Sequence, residues 1–430
     1  MLDKLFSWSR TPSSTSTSGA SAASADSTAS LGREPVHLPD EIILQILSYF
    51  PEGEASQGTL WACCLLSRQW HNLAIAKLYA APHLYGPNFD LFVKTVCPSL
   101  NAHIRKSDLA GLVRTLDMSK LAYQGSRATT ARLLGRTKNG LEVYVAPQAN
   151  WGINCLAALS KCTRLRSLDL SLVSEALSYR ELSNTIQKMK DLRILKFPRS
   201  AAKRDADVYT RSHMHWPPNL EELTLSGDLF DFFHSDVQPL DGGTPNLPLK
   251  ITRLAFQHSS LDGRMFNATL AELGSKLTFL KLYNLTCSDF DWPYPEGAST
   301  ILHLCRNLNT LEIAVDLLTS NLIFSLEIED DDDVLPIALE HQLKHLYIAS
   351  PTRTGSFIEE ELMNTHDLAR AVDKNALPAL RTVTIEVFFK APSEWSTADL
   401  LLHRRLKRRA RENDENPDAA GVRFAVLQAS

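Results

Sequence analysis

One spacing rule constrains this chain more than any other feature: a Leu-x-x-Leu-x-Leu pattern, with conservative replacements, that returns eight times. It occurs at Leu165/Leu168/Leu170, Leu192/Leu195/Phe197, Leu220/Leu223/Leu225 and Ile251/Leu254/Phe256. It continues at Leu277/Leu280/Leu282, Leu308/Leu311/Ile313, Leu343/Leu346/Ile348 and Leu380/Val383/Ile385. Successive starts lie 27, 28, 31, 26, 31, 35 and 37 residues apart, a mean of about 31. The fourth and sixth positions are two apart and therefore share one side of a strand. Helical patterns precede several copies, at Leu182 to Met189, Phe266 to Leu273, Ile301 to Cys305 and Leu368 to Val372. A strand-plus-helix unit cannot bury its apolar side alone, so such units must stack on one another. The fold class that follows is α/β. A ninth copy, Val113/Leu116/Met118, lies 52 residues before the first of the eight, and Leu141 to Val145 is the only candidate for a strand between them.

The spacing resembles that of leucine-rich repeats with a helix in the longer units, and it predicts an irregular solenoid, a horseshoe, over 111–390. In such repeats the residue eight places after the first Leu is often Asn or Cys. Here it is Val173, Ser200, Asp228, Ser259, Leu285, Asp316, Pro351 or Phe388, so an asparagine ladder is absent and irregularity is expected. With the fourth and sixth positions inward, the third, fifth and seventh face outward. They are Phe279, Lys281 and Tyr283 in one copy, Thr310, Glu312 and Ala314 in the next, then His345, Tyr347 and Ala349. Aromatic side chains with mixed charge on one face match the make-up of interface hot spots. Phe279, Lys281, Tyr283, His345 and Tyr347 are the expected substrate-binding residues.

A different pattern precedes the repeats. From Leu38 to Phe50, Pro39 suits a helix start, and Asp40 and Glu41 sit where the helix dipole favours anions. At 100° per residue, Ile42, Ile43, Ile46, Leu47, Tyr49 and Phe50 span about 160° of that helix, and Leu44 widens the arc to about 220°. A surface helix needs little more than about 100°. A Gly/Ser-containing loop, Gly53 to Gly58, follows, and then two short apolar helices, Leu60 to Trp70 and His71 to Tyr79, closed by Pro82. A unit of about 45 residues with this much apolar arc needs a partner to cover it. The segment resembles an F-box, through Leu38, Pro39 and Glu41, Ile46-Leu47, Phe50 and Leu60, then Leu66-Ser67-Arg68-Gln69-Trp70 and Leu73. The resemblance implies a three-helix, all-α module that binds the Skp-type adaptor of cullin-based SCF ubiquitin ligases. It implies adaptor contacts at Leu38, Pro39, Ile42, Ile46 and Leu47, with Trp70 in the packed part.

Other chemistry is sparse. The charge balance of 45 basic and 49 acidic residues speaks against a broadly basic nucleic-acid or membrane surface. The longest apolar run, Leu60 to Leu66, has seven residues where a bilayer span needs about 20. Seven cysteines without a C-x-x-C pair read as buried thiols. No phosphate-binding, nucleophile-elbow or zinc-protease motif is present, and His213-Met-His215 lacks companions for a metal. Neither an enzyme nor a cofactor is expected. Glu327 to Asp333 reads as a solvated acidic loop, and Arg404, Arg405, Lys407, Arg408, Arg409 and Arg411 read as a helix with a solvated basic face, with a nuclear-import signal as the second reading.

The expected organisation is a disordered Ser/Thr/Ala-rich tail over 1–33, the F-box over 34–80, a linker over 81–110, the solenoid over 111–390, and a basic helix and tail over 391–430. The function this implies is that of a non-catalytic substrate receptor, cytoplasmic or nuclear, joining adaptor and cullin to an unknown protein substrate. A scaffold or targeting protein using the same modules outside a ligase is the second reading.

Overall fold

The computed structural model describes residues 38–98, 107–121, 125–175, 177, 179–199, 215–228, 248, 250–261, 263–287, 301–318, 341–350, 364–387 and 396–426. The tail 1–33, His213 and the acidic run 327–333 lie outside the described residues.

Among the described residues three helices come first: α1 (Asp40–Ser48), α2 (Glu54–Leu66) and α3 (Arg68–Ala80). Pro39 occupies the N-cap of α1, one place earlier than a first helical residue. The expected loop Gly53 to Gly58 is mostly the first turn of α2. Only Gly53 stands outside it, at φ 98°, a conformation that suits a residue without Cβ. The break between α2 and α3 falls at Ser67 rather than after Trp70, because the Ser67 hydroxyl accepts a hydrogen bond from the Trp70 amide at 3.2 Å and caps α3. Ile43, Leu47, Leu60, Cys63, Cys64 and Ala74 form a small core of their own.

The stretch expected as a linker contains α4 (Gly86–Val96). Phe89, Phe92 and Val96 recur at helical spacing on one face, and that face enters the large core. This stretch is therefore packed structure. It seats the three-helix unit beside the first strand: the Arg114 amide donates to the Ala80 carbonyl at 2.8 Å, and Gln57 Nε2 donates to the Ala81 carbonyl at 3.1 Å. Lys120 Nζ lies 3.3 Å from Glu54 Oε2 and 3.0 Å from His83 Nε2.

Among the described residues eleven strands form one parallel sheet in chain order. They are β1 (Thr115–Asp117), β2 (Val143–Val145), β3 (Ser167–Asp169), β4 (Ile194–Lys196), β5 (Glu222–Asp228) and β6 (Arg253–Leu261). Then come β7 (Phe279–Cys287), β8 (Thr310–Ala314), β9 (His345–Ala349), β10 (Thr382–Val387) and β11 (Gly421–Val426). The candidate Leu141 to Val145 thus supplies β2, paired with β1 and β3. Helices α5 (Arg127–Thr137), α6 (Ile153–Leu159) and α7 (Tyr179–Ile186) join the early strands. Later connections carry α8 (Gly263–Leu273), α9 (Ile301–Leu304), α10 (Thr365–Asp373) and α11 (Thr397–Glu412).

The register sets every repeat's fourth position in one row, from Leu116 in β1 through Leu280 in β7 to Val422 in β11, and the row is buried throughout. One continuous core runs from Leu84 to Val422. Strand starts share a further device: the carbonyl just before one strand accepts two amides at the start of the next. The Thr252 carbonyl, for example, takes Thr278 at 2.8 Å and Phe279 at 3.2 Å. Backbone amides of the next unit thus satisfy these carbonyls, and the Thr278 hydroxyl adds a further bond to Thr252 at 3.1 Å.

Candidate protein-docking surfaces

Two surfaces lack the cover that their composition leads one to expect. The first belongs to the three helices. Ile43 and Leu47, four residues apart, share the inward stripe of α1. Leu47, expected among the adaptor contacts, is only 2% exposed and serves the unit's own core. Leu38 and Ile46 are half-buried, while Pro39 and Ile42 are exposed. Leu44 and Tyr49 on α1 and its end, with Trp61, Leu65 and Leu66 on α2, are exposed as well. Sequence reasoning left these five off its contact set. The signal for Leu44 was the arc it widened; for Trp61 and Leu65 it was their i, i+4 spacing on the side of α2 away from Leu60 and Cys64. Six large exposed apolar side chains outside a core of six residues are more than a small free-standing unit ordinarily shows.

The second surface is the outward face of the sheet. Phe279, Arg253, Thr310 and His345 share one row, and Lys281, Glu312 and Tyr347 share the next. The expected substrate residues therefore stand together on β7 and β9. Phe279 lies under the Arg253 guanidinium, 4.0 Å from ring centroid to Cζ. Lys281 Nζ pairs with Glu312 Oε2 at 2.8 Å. His345 Nδ1 and Thr382 Oγ1 are 2.7 Å apart. Tyr347 donates its hydroxyl proton to Glu386 Oε1 at 3.3 Å; burial, and then the Glu386 charge, push its phenol up to about 12. Burial depresses His345, with Lys344 and Arg423 adding to it. Other cations on this face are also engaged: Lys196 with Asp169 at 2.9 Å, Arg253 with Glu222 at 3.0 Å, and Arg423 with the Ala419 carbonyl at 3.0 Å.

One feature of this face is absent from the sequence pattern. Between β5 and β6 the register shifts at Ser226/Gly227. There Gly227, His258 and Asn284, on three successive strands, adopt φ of 88°, 50° and 50°. Asn284 Nδ2 lies 2.6 Å from His258 Nδ1, and the His258 ring stands edge-on to Tyr283 with centroids 5.7 Å apart. Burial, and then Arg199, depress the His258 pKa. Left-handed residues other than glycine are held by their surroundings at some cost.

The basic cluster divides. Arg409 donates to the Leu377 carbonyl at 2.6 Å and also to the Val372 carbonyl, and Arg405 pairs with Asp373 at 2.6 Å, so both tie α11 to α10. Arg404, Arg408 and Arg411 are exposed. Among the described residues, no three His, Cys, Asp or Glu side chains gather as a metal site. The thiols of Cys64, Cys162 and Cys305 are pushed up by burial, to about 11, 12 and 12, which fits packing rather than nucleophilic chemistry. Among the described residues, no helix is long and apolar enough to cross a membrane.

Residues 36–84 match the F-box-like family. Over 370 residues the chain is 29% identical to the F-box protein YDR306C of Saccharomyces cerevisiae (strain ATCC 204508 / S288c), covering 81% of this chain and 70% of that protein. Over 301 residues it is 27% identical to the protein pof5 of Schizosaccharomyces pombe (strain 972 / ATCC 24843), covering 68% and 78% respectively. Among solved structures it is similar to a chain in the crystal structure of the TLR13-ssRNA13 complex, at 16% identity and a TM-score of 0.27; the match covers 74% of this chain and 51% of that one.

Proposed function

We propose that the chain, which carries an F-box-like match over residues 36–84 and is similar to fungal F-box proteins, is the substrate-recognition subunit of an SCF-type ubiquitin ligase. In this reading Leu38, Pro39, Ile42 and Ile46, joined by Leu44, Tyr49, Trp61 and Leu65, dock on a Skp-type adaptor and through it on a cullin. The sheet is an irregular leucine-rich-repeat solenoid, and its outward face at Phe279, Lys281, Tyr283, His345 and Tyr347 takes the protein substrate. The chain contributes binding, and the chemistry of ubiquitin transfer belongs to the other subunits. Cytoplasm and nucleus are the compartments proposed for this work.

The observation that carries the reading is the apolar exterior of a unit that matches the F-box-like family. Burying those side chains on a partner is favourable by roughly 25 cal/mol per Å² of apolar surface. Affinity purification tests it: adaptor and cullin should both be recovered, and Leu38→Ala with Pro39→Ala should weaken adaptor recovery while the thermal midpoint of the sheet stays put. Recovery of adaptor without cullin would favour a scaffold outside the ligase, and unchanged adaptor recovery would remove the Leu38–Pro39 assignment.

A further inference from the structure

The first helix begins with no cap of its own. Pro39 stands at the N-cap of α1 and supplies no side-chain hydrogen bond, although its carbonyl accepts from the Ile42 and Ile43 amides at 3.1 and 3.2 Å. The chain just before it, Leu38-Pro39, is held from elsewhere. Gln69 lies two residues inside α3, whose start Ser67 fixes through Trp70. From there Gln69 Nε2 donates one proton to the Leu38 carbonyl at 2.8 Å and the other to Asp40 Oδ1 at 2.6 Å. One carboxamide thus brackets Pro39 from both sides across about 30 residues of sequence. The far end of α1 is held separately: Lys77, eight residues further along α3, donates to the Leu47 carbonyl, where the negative end of the helix dipole favours a cation.

We infer that Gln69 is a positioning residue for adaptor docking, presenting the Leu38–Pro39 turn in its bound geometry. The inference rests on the adaptor reading above. The physical reason is pre-organisation. A turn of two apolar residues with exposed Pro39 would otherwise have to be ordered by the partner, and that ordering reduces affinity. The short bond to a carboxylate oxygen is charge-assisted and therefore stronger than a neutral one.

A double-mutant cycle with the full chain and a purified Skp-type adaptor tests it. Gln69→Leu keeps the side chain's bulk and removes both donors. It should weaken adaptor binding about tenfold in the unaltered background and less than twofold when Leu38→Ala and Pro39→Ala are already present. Lys77→Met serves as the structural comparison: it should lower the thermal midpoint, and its effect on adaptor affinity should be the same in both backgrounds. An equal effect of Gln69→Leu in both backgrounds would make it a packing residue and overturn the inference. So would wild-type affinity of Gln69→Leu alone. Failure of the unaltered chain to bind adaptor at all would sink the adaptor reading itself, and the inference with it.

Discussion

At Leu280 two demands meet on one side chain: it must fill the row between Leu254 and Leu311, and it must carry no unpaired polar group there. It is fully buried, so Leu280→Asp combines the loss of a core leucine, about 2–5 kcal/mol, with the burial of a carboxylate. That approaches the whole stability of a typical domain, about 5–15 kcal/mol, and loss of soluble protein or a collapsed thermal midpoint is expected. Wild-type behaviour would mean the register is wrong. His341 makes a pH-dependent demand. It is buried, its Nδ1 accepts from the Leu343 amide at 3.2 Å, and its Nε2 lies 3.1 Å from the Ala376 carbonyl, an arrangement for the neutral ring. Burial holds its pKa below the ordinary 6.5. A depressed histidine gives stability that is present above about pH 6.5 and lost as pH falls through the folded-state value. Thermal melts should therefore decline on acidification below that pH, and His341→Gln should flatten the decline; an unchanged slope would assign it to other groups. The repeat leucines were legible because period two repeats across eight copies. The Ala376 partner of His341 was not, since it lies 35 residues away in sequence and depends on how two units stack.

Among the elements, those marked by Leu at fixed spacing were legible, and those that rely on caps or contacts were missed. β11 aligns Val422 with Val383 and Phe424 with Ile385, but Ala419 stands where the pattern wants a first Leu, so the copy was invisible. Its start is fixed instead by His403 of α11, whose Nδ1 accepts from the Val422 amide at 3.1 Å, and by Gly421, where a Cβ would lie 2.6 Å from that ring. α4 was read as linker because its apolar residues are too few to stand out without the core they enter. α11 was recognised as a basic helix, yet its role is set by Arg409, which binds the Leu377 carbonyl and the carbonyl of Val372 in the last turn of α10. Arg409→Ala removes two hydrogen bonds from a charged donor, worth about 1.5–3 kcal/mol, while the Val372 and Leu377 carbonyls keep the Asn375 and Leu380 amides. Because the strands pair in chain order, the damage should be local. Hydrogen exchange should quicken in β10 and β11 and stay unchanged in β1 to β4. Uniform acceleration would show that the sheet unfolds as one unit.

For the whole molecule, two cores divide the proposed work. The small core leaves apolar side chains outside for an adaptor, while the long core from Leu84 to Val422 supports a face that can serve another partner without disturbing the first. On that face Lys281, Arg253 and Lys196 are each paired across strands, so what remains for a substrate is chiefly aromatic surface at Phe279, Tyr283 and Tyr347 beside His345. Recognition by ring faces and apolar contact depends weakly on ionic strength, whereas recognition by free charge is screened within about 8–10 Å at ordinary salt. Substrate capture should therefore change little between about 50 and 300 mM salt. Replacing Phe279, Tyr283, His345 and Tyr347 together by Ala or Ser should abolish capture. Adaptor affinity should not change, because none of the four touches the three-helix unit's core. The thermal midpoint should fall by only a few degrees, since these side chains are outward or half-buried while the inward row stays intact. Loss of folding would reassign the four to the core. Full capture by the folded variant would move the substrate site to another part of the sheet.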